Sequence, residues 1–331
     1  MADRPSEDDL IGRYFAPLAG EGGLGLRDDA ALIAPPPGCE IVLTVDGLVA
    51  GVHFFADDPP DAIAKKALRV NLSDLAAKGA TPLGFLLTLA LPRDWKPDWL
   101  EKFATGLGED AAAFACPLLG GDTVSTSGPL TLSITALGSV PAGRMVPRDG
   151  ARAGDALYVS GTIGDAALGL RVRTAGLPAQ DARAGSRHGA AFLLDRYLVP
   201  QPRNALAAAL RDHASGAMDV SDGLVGDLAK MMGVSGASAD VDVDRVPLSE
   251  AARDMIAGEP RLLEAALTGG DDYEILASVP PANTAAFEAA AAAAGVAVTR
   301  IGTVTAGQGA PTFRDARGAP MSFARGSYSH F

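Results

Sequence analysis

Cysteine, histidine and aromatic residues are scarce in this chain, and each scarcity excludes a class of protein. The 331 residues include only two cysteines, Cys39 and Cys116, which cannot build a disulfide framework or a four-thiolate zinc site. The four histidines are scattered and form neither an HExxH pair nor a His and Cys cluster at zinc spacing. Aromatic residues make up 5% of the chain, so alanine, leucine and valine must build the core.

Positive charge is scarce as well. Lysine and arginine number 28 against 40 aspartates and glutamates, which gives a net charge of −12. This balance repels phosphate backbones and anionic lipid headgroups, so we expect neither a nucleic-acid nor a membrane partner. No lysine directly follows a glycine, which excludes a GxxxxGK[ST] phosphate loop, and the GxSxG element of serine hydrolases is missing. A phosphate compound would therefore have to be bound through divalent cations held by the surplus carboxylates.

Long hydrophobic runs and basic leader segments are also missing. The first nine residues are acidic, and the longest uncharged stretch, residues 123–143, is interrupted by serine, threonine, proline and glycine. Neither feature is typical of a secretory signal or a membrane span, so we expect a cytoplasmic protein. Gly20, Gly22 and Gly25 have the spacing of a GxGxxG dinucleotide loop, but no predicted strand precedes them, and we give that interpretation little weight.

Strand and helix patterns alternate along the chain. In the first half, apolar runs predict a buried strand over residues 41–45 ending at Asp46, and further strands over residues 85–91 and 130–136. Apolar residues at three and four residue spacing predict helices over residues 61–78 and 99–114, the first ended by Gly79.

The second half has the same mixed character. The predicted strands cover residues 156–160 and 296–301, and the predicted helices cover residues 165–173, 204–213, 224–232 and 284–294. We also predict a polar loop over residues 176–189 and a turn over residues 219–223. Residues 140–155 are rich in proline and glycine, which favours a linker. We therefore expect two mixed α/β domains, residues 1–148 and 149–331, with the boundary near Arg148.

Aspartate recurs beside glycine or at the predicted ends of helices and strands. The positions are Asp28, Asp29, Asp46, Asp74, Asp122, Asp219, Asp222, Asp271 and Asp272. Taken singly, each is an ordinary turn or capping residue. Asp46 at the end of an apolar run and Asp74 inside an apolar helix are not placed for capping, however. Carboxylates that converge repel one another unless cations lie between them, and oxygen ligands of this kind favour Mg²⁺.

Six short motifs carry a family resemblance. They are GLRDDAA (25–31), TVDGLVAGVHF (44–54), KALRVNLSDLAAKGA (66–80), LLGGDT (118–123), DVSDGL (219–224) and TGGDDYEI (268–275). Each is short, but together and in this order they resemble the thiamine-monophosphate kinase family, within the ATP-binding superfamily that includes aminoimidazole ribonucleotide synthetase. The resemblance extends from about residue 11 to the end of the chain.

The resemblance implies a fold, a reaction and an assembly. The amino-terminal α/β domain would dimerise through its sheet, and the carboxy-terminal α/β domain would cover the active site. The reaction would be the ATP-dependent phosphorylation of thiamine monophosphate to thiamine diphosphate, by direct in-line transfer assisted by several Mg²⁺ ions. No catalytic base is expected, because a phosphate monoester already presents an anionic oxygen.

Individual residues are assigned by their positions in the motifs. Those that resemble magnesium ligands are Asp29, Thr44, Asp46, Asp74, Asp122, Asp219 and Asp222. Those that resemble ATP contacts are Gly121, Asp122, Arg148 and Ser221, and those that match substrate-contacting positions are His53, Asp271 and Phe323. Asp271 stands where the family often has glutamate.

Two other interpretations remain open from the sequence. One is a different superfamily member that activates another nucleophile with ATP. The chain ends in Ser329, His330 and Phe331 without the terminal cysteine of the hydrogenase-maturation branch, and its first 38 residues lack the reactive cysteine of selenophosphate synthetase. The other is a nucleotide-binding and metal-binding regulator without turnover. Release of ADP with and without thiamine monophosphate would separate these interpretations.

Overall fold

The structure is a computed structural model that describes residues 6–176, 189–324 and 326–327. It divides into two compact units, one containing residues 1–75 and 81–143 and the other containing residues 76–80 and 144–331. The sequence did not predict the assignment of residues 76–80 to the second unit. The domain boundary near Arg148 stays a prediction, and the polar loop predicted over residues 176–189 lies almost wholly outside the described residues.

The first unit is built on a four-stranded sheet with strand order β1-β4-β2-β3. Its main elements are α1 (Glu7–Leu10), β1 (Cys39–Val49), α2 (Pro60–Ala77), β2 (Thr81–Pro92), α3 (Pro97–Ala113), β3 (Leu118–Thr126) and β4 (Thr131–Pro141). Strands β2 and β3 are parallel and are joined through α3, as parallel neighbours require a crossover, whereas β4 is antiparallel to both β1 and β2. Both predicted helices of this half are confirmed to within two residues at each end.

One face of this sheet is covered by helices. Phe85, Leu87 and Leu89 of β2 are buried, because alternate residues of a strand point to the same face. A two-pronged ion pair between the partly buried Arg69 and the buried Asp110 joins α2 to α3, with Arg69 Nε 2.6 Å from Asp110 Oδ2 and Arg69 Nη2 2.8 Å from Asp110 Oδ1. The two helices are therefore fixed to each other by charge as well as by packing.

The opposite face of the sheet, which we call the open face, carries large apolar side chains. Leu43 and Val45 of β1 are 63% and 62% exposed, and Leu86 and Val124 also lie on this face. The strand predicted over residues 41–45 is confirmed, but the predictions that it is buried and that it ends at Asp46 are wrong. Strand β1 is an edge strand that continues to Val49, so Asp46 lies inside it.

The second unit is built on a six-stranded sheet with strand order β10-β7-β9-β5-β8-β6. Its strands are β5 (Ala156–Ser160), β6 (Gly216–Val220), β7 (Ala237–Asp242), β8 (Glu274–Val279), β9 (Val298–Ala306) and β10 (Thr312–Arg314). Its helices are α4 (Asp165–Thr174), α5 (Gly189–Leu198), α6 (Ala207–His213), α7 (Leu224–Ser235), α8 (Glu250–Gly258), α9 (Leu262–Thr268) and α10 (Thr284–Ala293). The mixed α/β character predicted for both halves is confirmed.

The strand predicted over residues 156–160 is confirmed as β5, whereas strands β6 and β8 escaped prediction. Both are buried along their whole length, so they lack the alternation that identifies a half-exposed strand. Asp219, predicted to begin a turn, is a buried residue of β6, and the turn starts only at Ser221. The prediction that Asp219 begins the turn is therefore wrong.

Two further properties bear on chemistry. Burial raises the pKa of the Cys116 thiol to about 12, whereas Cys39 at the start of β1 is partly exposed. Within residues 6–176, 189–324 and 326–327, no helix is both long enough and apolar enough to span a bilayer.

Candidate functional site

The first unit brings three predicted metal ligands together: Thr44, Asp46 and Asp74. Thr44 and Asp46 are two residues apart on β1, so their side chains lie on the same, helix-covered face of the sheet. The Thr44 hydroxyl donates a short hydrogen bond to Asp74 Oδ2, which places this part of α2 against β1. Two residues of β1 and one residue of α2, 30 positions beyond Thr44, thus form one small acidic site, which we call the acidic pair site.

The electrostatics of this site are unfavourable without a cation. Burial, and to a smaller extent repulsion from the negative charge of Asp74, together raise the pKa of Asp46 to about 6. A divalent cation would relieve both effects by supplying the charge that the surroundings lack. Two carboxylates and a hydroxyl fit Mg²⁺, which proteins commonly hold through one or two carboxylates plus substrate phosphates.

The remaining acidic residues of this unit do not join the acidic pair site. The register aligns Asp122 with Thr88 of β2 and therefore places it on the open face, opposite Asp46. Asp29 is exposed in a bend before β1. Among the described residues, no three His, Cys, Asp or Glu side chains form a group that could hold a metal ion.

Gly121 and His53 have well-defined surroundings. A Cβ atom at Gly121 would lie 1.8 Å from the backbone carbonyl oxygen of Leu87, so the close approach of β3 to β2 admits only glycine there. His53 follows β1, and its Nδ1 accepts the backbone N–H of Val49 at 3.0 Å. In the neutral ring the proton is therefore on Nε2.

In the second unit, a buried carboxylate accepts hydrogen bonds from the backbone of the turn after β6. Asp227, in the first turn of α7, accepts the backbone N–H groups of Ser221 and Asp222 at 2.9 and 2.8 Å through Oδ2. Lys230 bridges the two acidic residues, with Nζ 2.5 Å from Asp222 Oδ2 and 2.9 Å from Asp227 Oδ1. The predicted metal ligand Asp222 thus has a cationic side chain of the protein as its partner.

Two motifs that are separated in sequence lie side by side here. The backbone N–H of Asp271 donates to the carbonyl of Ser221, and that of Tyr273 donates to the carbonyl of Val220, both at 2.8 Å. The DVSDGL and TGGDDYEI motifs are therefore hydrogen-bonded neighbours, which places Ser221 next to Asp271.

The other predicted residues of this unit are placed as follows. Phe323 is half-buried and meets Phe313 edge to face, with ring centroids 5.3 Å apart. Arg148 is exposed between the last strand of the first unit and β5. Asp219 is buried in β6 opposite Ile275 of β8.

Three residues that organise these turns were not among the predicted contacts: Asp227, Lys230 and Asp272. Asp227 and Lys230 have the three-residue spacing of a helical ion pair, which could have indicated their contact. In the sequence Asp272 is only one of the recurring aspartates, because its partners are more than a hundred residues away. No local pattern could have identified them.

Comparison with known proteins agrees with this arrangement. Residues 27–140 match AIR synthase related protein, N-terminal domain, and residues 152–312 match AIR synthase related protein, C-terminal domain. The two matches fall on the two mixed α/β units, so the chain is an AIR synthase related protein.

Individual relatives show to which family within this class the chain belongs. Thiamine-monophosphate kinase from Caulobacter vibrioides is 46% identical over 318 residues, which cover 95% of this chain and 88% of the relative. The crystal structure of thiamine-monophosphate kinase from Stenotrophomonas maltophilia K279a is 39% identical, with a TM-score of 0.80 over 89% of this chain and 91% of that one. The structure described as AaThiL complexed with AMPPCP and TMP is 28% identical, with a TM-score of 0.77 over 100% of both chains. The chain belongs to the thiamine-monophosphate kinase family, and the resemblance carried by the six motifs is confirmed.

Proposed function

We propose that this protein phosphorylates thiamine monophosphate with ATP and yields thiamine diphosphate and ADP. The observation that carries the proposal is the acidic pair site, in which Thr44 and Asp46 of β1 meet Asp74 of α2. Within a chain of this family, two close carboxylates, of which Asp46 has a raised pKa, suit a kinase that neutralises phosphate charge with metal ions. The relative with AMPPCP and TMP bound supports the same pair of substrates.

The chemistry requires alignment and charge neutralisation more than proton transfer. Magnesium, when bound, would supply positive charge that screens the repulsion between the donor and acceptor phosphates. Asp46 and Asp74 would hold that charge in the first unit, and the Thr44 hydroxyl orients the Asp74 carboxylate. Because the acceptor oxygen is already anionic, the chain needs no general base, and the transfer is direct, without a phosphorylated residue.

The other residues keep the roles implied by their motifs. Asp29, Asp122, Asp219 and Asp222 are proposed as further magnesium ligands, with Lys230 as the counter-charge of Asp222. Gly121, Asp122, Arg148 and Ser221 are proposed to contact ATP, and arginine suits forked hydrogen bonding to phosphate oxygens. His53, through Nε2, and Asp271 and Phe323 are proposed to contact thiamine monophosphate.

The open face supports a homodimer. Monomeric proteins rarely leave neighbouring large apolar side chains exposed, and Leu43, Val45, Leu86 and Val124 share this one face of the sheet. A second copy of the same face is a self-complementary partner of the kind that twofold dimers use. We place the enzyme in the cytoplasm, where its two cysteines would stay reduced, and propose neither nucleic acid nor membrane as a partner.

One incubation tests the function. Purified protein is mixed with ATP, Mg²⁺ and thiamine monophosphate, and thiamine diphosphate and ADP are followed together by chromatography. The proposal predicts equal amounts of both products, dependent on Mg²⁺. If ADP forms without thiamine diphosphate, the chain uses ATP but phosphorylates a different acceptor. If neither product forms, the result favours a binding regulator.

A pair of matched variants tests whether turnover depends on the acidic pair site. Asp46→Asn should abolish turnover, whereas Asp94→Asn should not, because Asp94 is exposed in the turn after β2. Full activity of Asp46→Asn at saturating Mg²⁺ would contradict the metal assignment.

A further inference from the structure

Asp272 is a buried carboxylate in the second unit to which the proposed mechanism gives no role. It is 1% exposed, and its two oxygens accept backbone N–H groups at the start of α4. Oδ2 lies 2.6 Å from the nitrogen of Gly164, and Oδ1 lies 3.2 Å from the nitrogen of Ala166. The first amides of a helix have no partner within the helix, so Asp272 caps α4 from a distant part of the chain.

The residues on both sides of Asp272 adopt an unusual backbone conformation. Asp271 has φ +74° and Tyr273 has φ +51°, the left-handed region that residues with a Cβ atom rarely adopt. Such conformations persist only where the surroundings hold them, and they concentrate at functional sites. Two of them around one buried carboxylate indicate that the loop is held in place by Asp272.

The loop is also fixed where it enters the sheet. Glu274, the first residue of β8, is fully buried and accepts hydrogen bonds from Ser160 at 2.6 Å and from Arg196 at 2.9 Å. On its other side, the loop lies so close to the turn after β6 that a Cβ atom at Gly270 would be 2.4 Å from the carbonyl oxygen of Ser221. The segment 270–274 is therefore fixed at both of its ends, and the Asp272 cap is the contact between them.

The cap determines which side chains the loop offers for binding. Asp272 points into the unit, while Asp271 and Tyr273 remain only half-buried. We propose that Asp272 is a positioning residue: by capping α4 it holds Asp271 and Tyr273 in left-handed conformations and so presents the Asp271 carboxylate to the acceptor substrate. This inference rests on the proposed function, because the substrate contact of Asp271 comes from there.

The test compares Asp272→Asn with a matched buried carboxylate. Asp155 is also buried in the second unit and accepts the backbone N–H of Arg152 at 3.0 Å and the hydroxyl of Ser215 at 2.5 Å. Asp155→Asn therefore makes the same chemical change at a buried, hydrogen-bonded carboxylate that lies away from both motif turns. Unfolding by urea is measured first, so that the kinetics are compared at matched losses of stability.

Steady-state kinetics give the first readout. Asp272→Asn should raise the KM for thiamine monophosphate by about tenfold to hundredfold, the scale expected when a contact group is displaced by about 1 Å. The KM for ATP should change much less, and Asp155→Asn should leave both values near those of the unmodified protein. Equal kinetic effects of the two variants, or an effect of Asp272→Asn on ATP alone, would overturn the positioning role.

Hydrogen exchange gives a second readout that needs no activity. The amides of Asp271 and Tyr273, which donate to Ser221 and Val220, should exchange faster in Asp272→Asn and not in Asp155→Asn. Unchanged exchange at these amides would overturn the proposal even if the kinetics changed. If the unmodified protein lacks turnover, the proposed function fails, and the exchange rates still decide whether Asp272 anchors the loop.

A second variant covers a failure of the first to fold. Asp272→Glu keeps the carboxylate and moves it by one methylene group. It should shift both readouts in the same direction as Asp272→Asn, and wild-type kinetics and exchange in Asp272→Glu would overturn the requirement for a fixed carboxylate position.

Discussion

Replacing Asp46 by asparagine should make the metal-free protein more stable while it removes catalysis. Burial and the neighbouring Asp74 raise the pKa of Asp46 from 3.8 to about 6. At pH 7.5 the carboxylate is ionised in both the folded and the unfolded state, but its ionisation in the folded state costs free energy. A shift of this size corresponds to about 3 kcal/mol of lost stability, which asparagine would restore.

The sign of the pH dependence follows from the raised pKa. Below pH 3.8 Asp46 is protonated in both states and costs nothing. As the pH rises toward 6 the unfolded chain loses the proton first, so the free energy of unfolding of the wild type falls, and the loss is complete above the folded pKa. Asp46→Asn lacks this pH dependence. The difference in the free energy of unfolding between the variant and the wild type should therefore be near zero at pH 4 and largest at pH 7.5.

The two tryptophans make the measurement specific to the first unit. Trp95 and Trp99 both lie there, so their fluorescence during urea unfolding in EDTA reports on the unit that contains Asp46. A gain of about 3 kcal/mol corresponds to roughly 6–12 °C in the melting temperature of a unit of this size. Adding Mg²⁺ should narrow the gap, because the cation stabilises only the wild-type acidic pair.

The control for this experiment is Asp94→Asn, which removes one negative charge at an exposed turn. It should change stability by no more than about 0.5 kcal/mol. The reasoning is refuted if Asp46→Asn is no more stable than the wild type at pH 7.5, or if Asp94→Asn gives the same gain.

Three further predictions address other contacts. Asp110→Ala leaves the guanidinium of Arg69 buried without its carboxylate, so urea unfolding followed by tryptophan fluorescence should show a loss of about 3–5 kcal/mol. Val45→Asp places a charge on the open face, and sedimentation should show a monomer for the variant and the proposed dimer for the wild type, whereas a dimer unchanged in the variant would contradict the assignment. Lys230→Met removes the ammonium group that pairs with Asp222, so isothermal titration should show tighter Mg²⁺ binding, and weaker binding would mean that the lysine orients the carboxylate instead.

The success of sequence-based prediction varied with the local signal. Helix α2 was predicted within a residue, because its apolar face is broad and Gly79, at φ +69°, ends it where the chain must take a left-handed turn. Strand β1 was misjudged for a physical reason. Leu43 and Val45 on the open face are as apolar as the covered residues, so the run has the composition of a strand buried on both faces.

The candidate site was predictable by residue type and less so by arrangement. The motifs identified Thr44, Asp46 and Asp74 before the structure placed them together. They could not indicate that Asp122 lies on the other face of the sheet, because strand register depends on pairing with β2. Nor could they reveal the Asp272 cap on α4, since it depends on packing between segments more than a hundred residues apart.

The two cysteines differ so much in their surroundings that the native chain carries a selective labelling position. Cys116 is buried with a thiol pKa of about 12, so a maleimide reagent at neutral pH should modify Cys39 alone. Cys39 belongs to the same alternating set of β1 as Leu43 and Val45, about 13 Å along the strand from Leu43, and therefore marks the open face. A nitroxide attached there would give a spin-spin distance between two copies paired through that face, measured on the unmutated sequence.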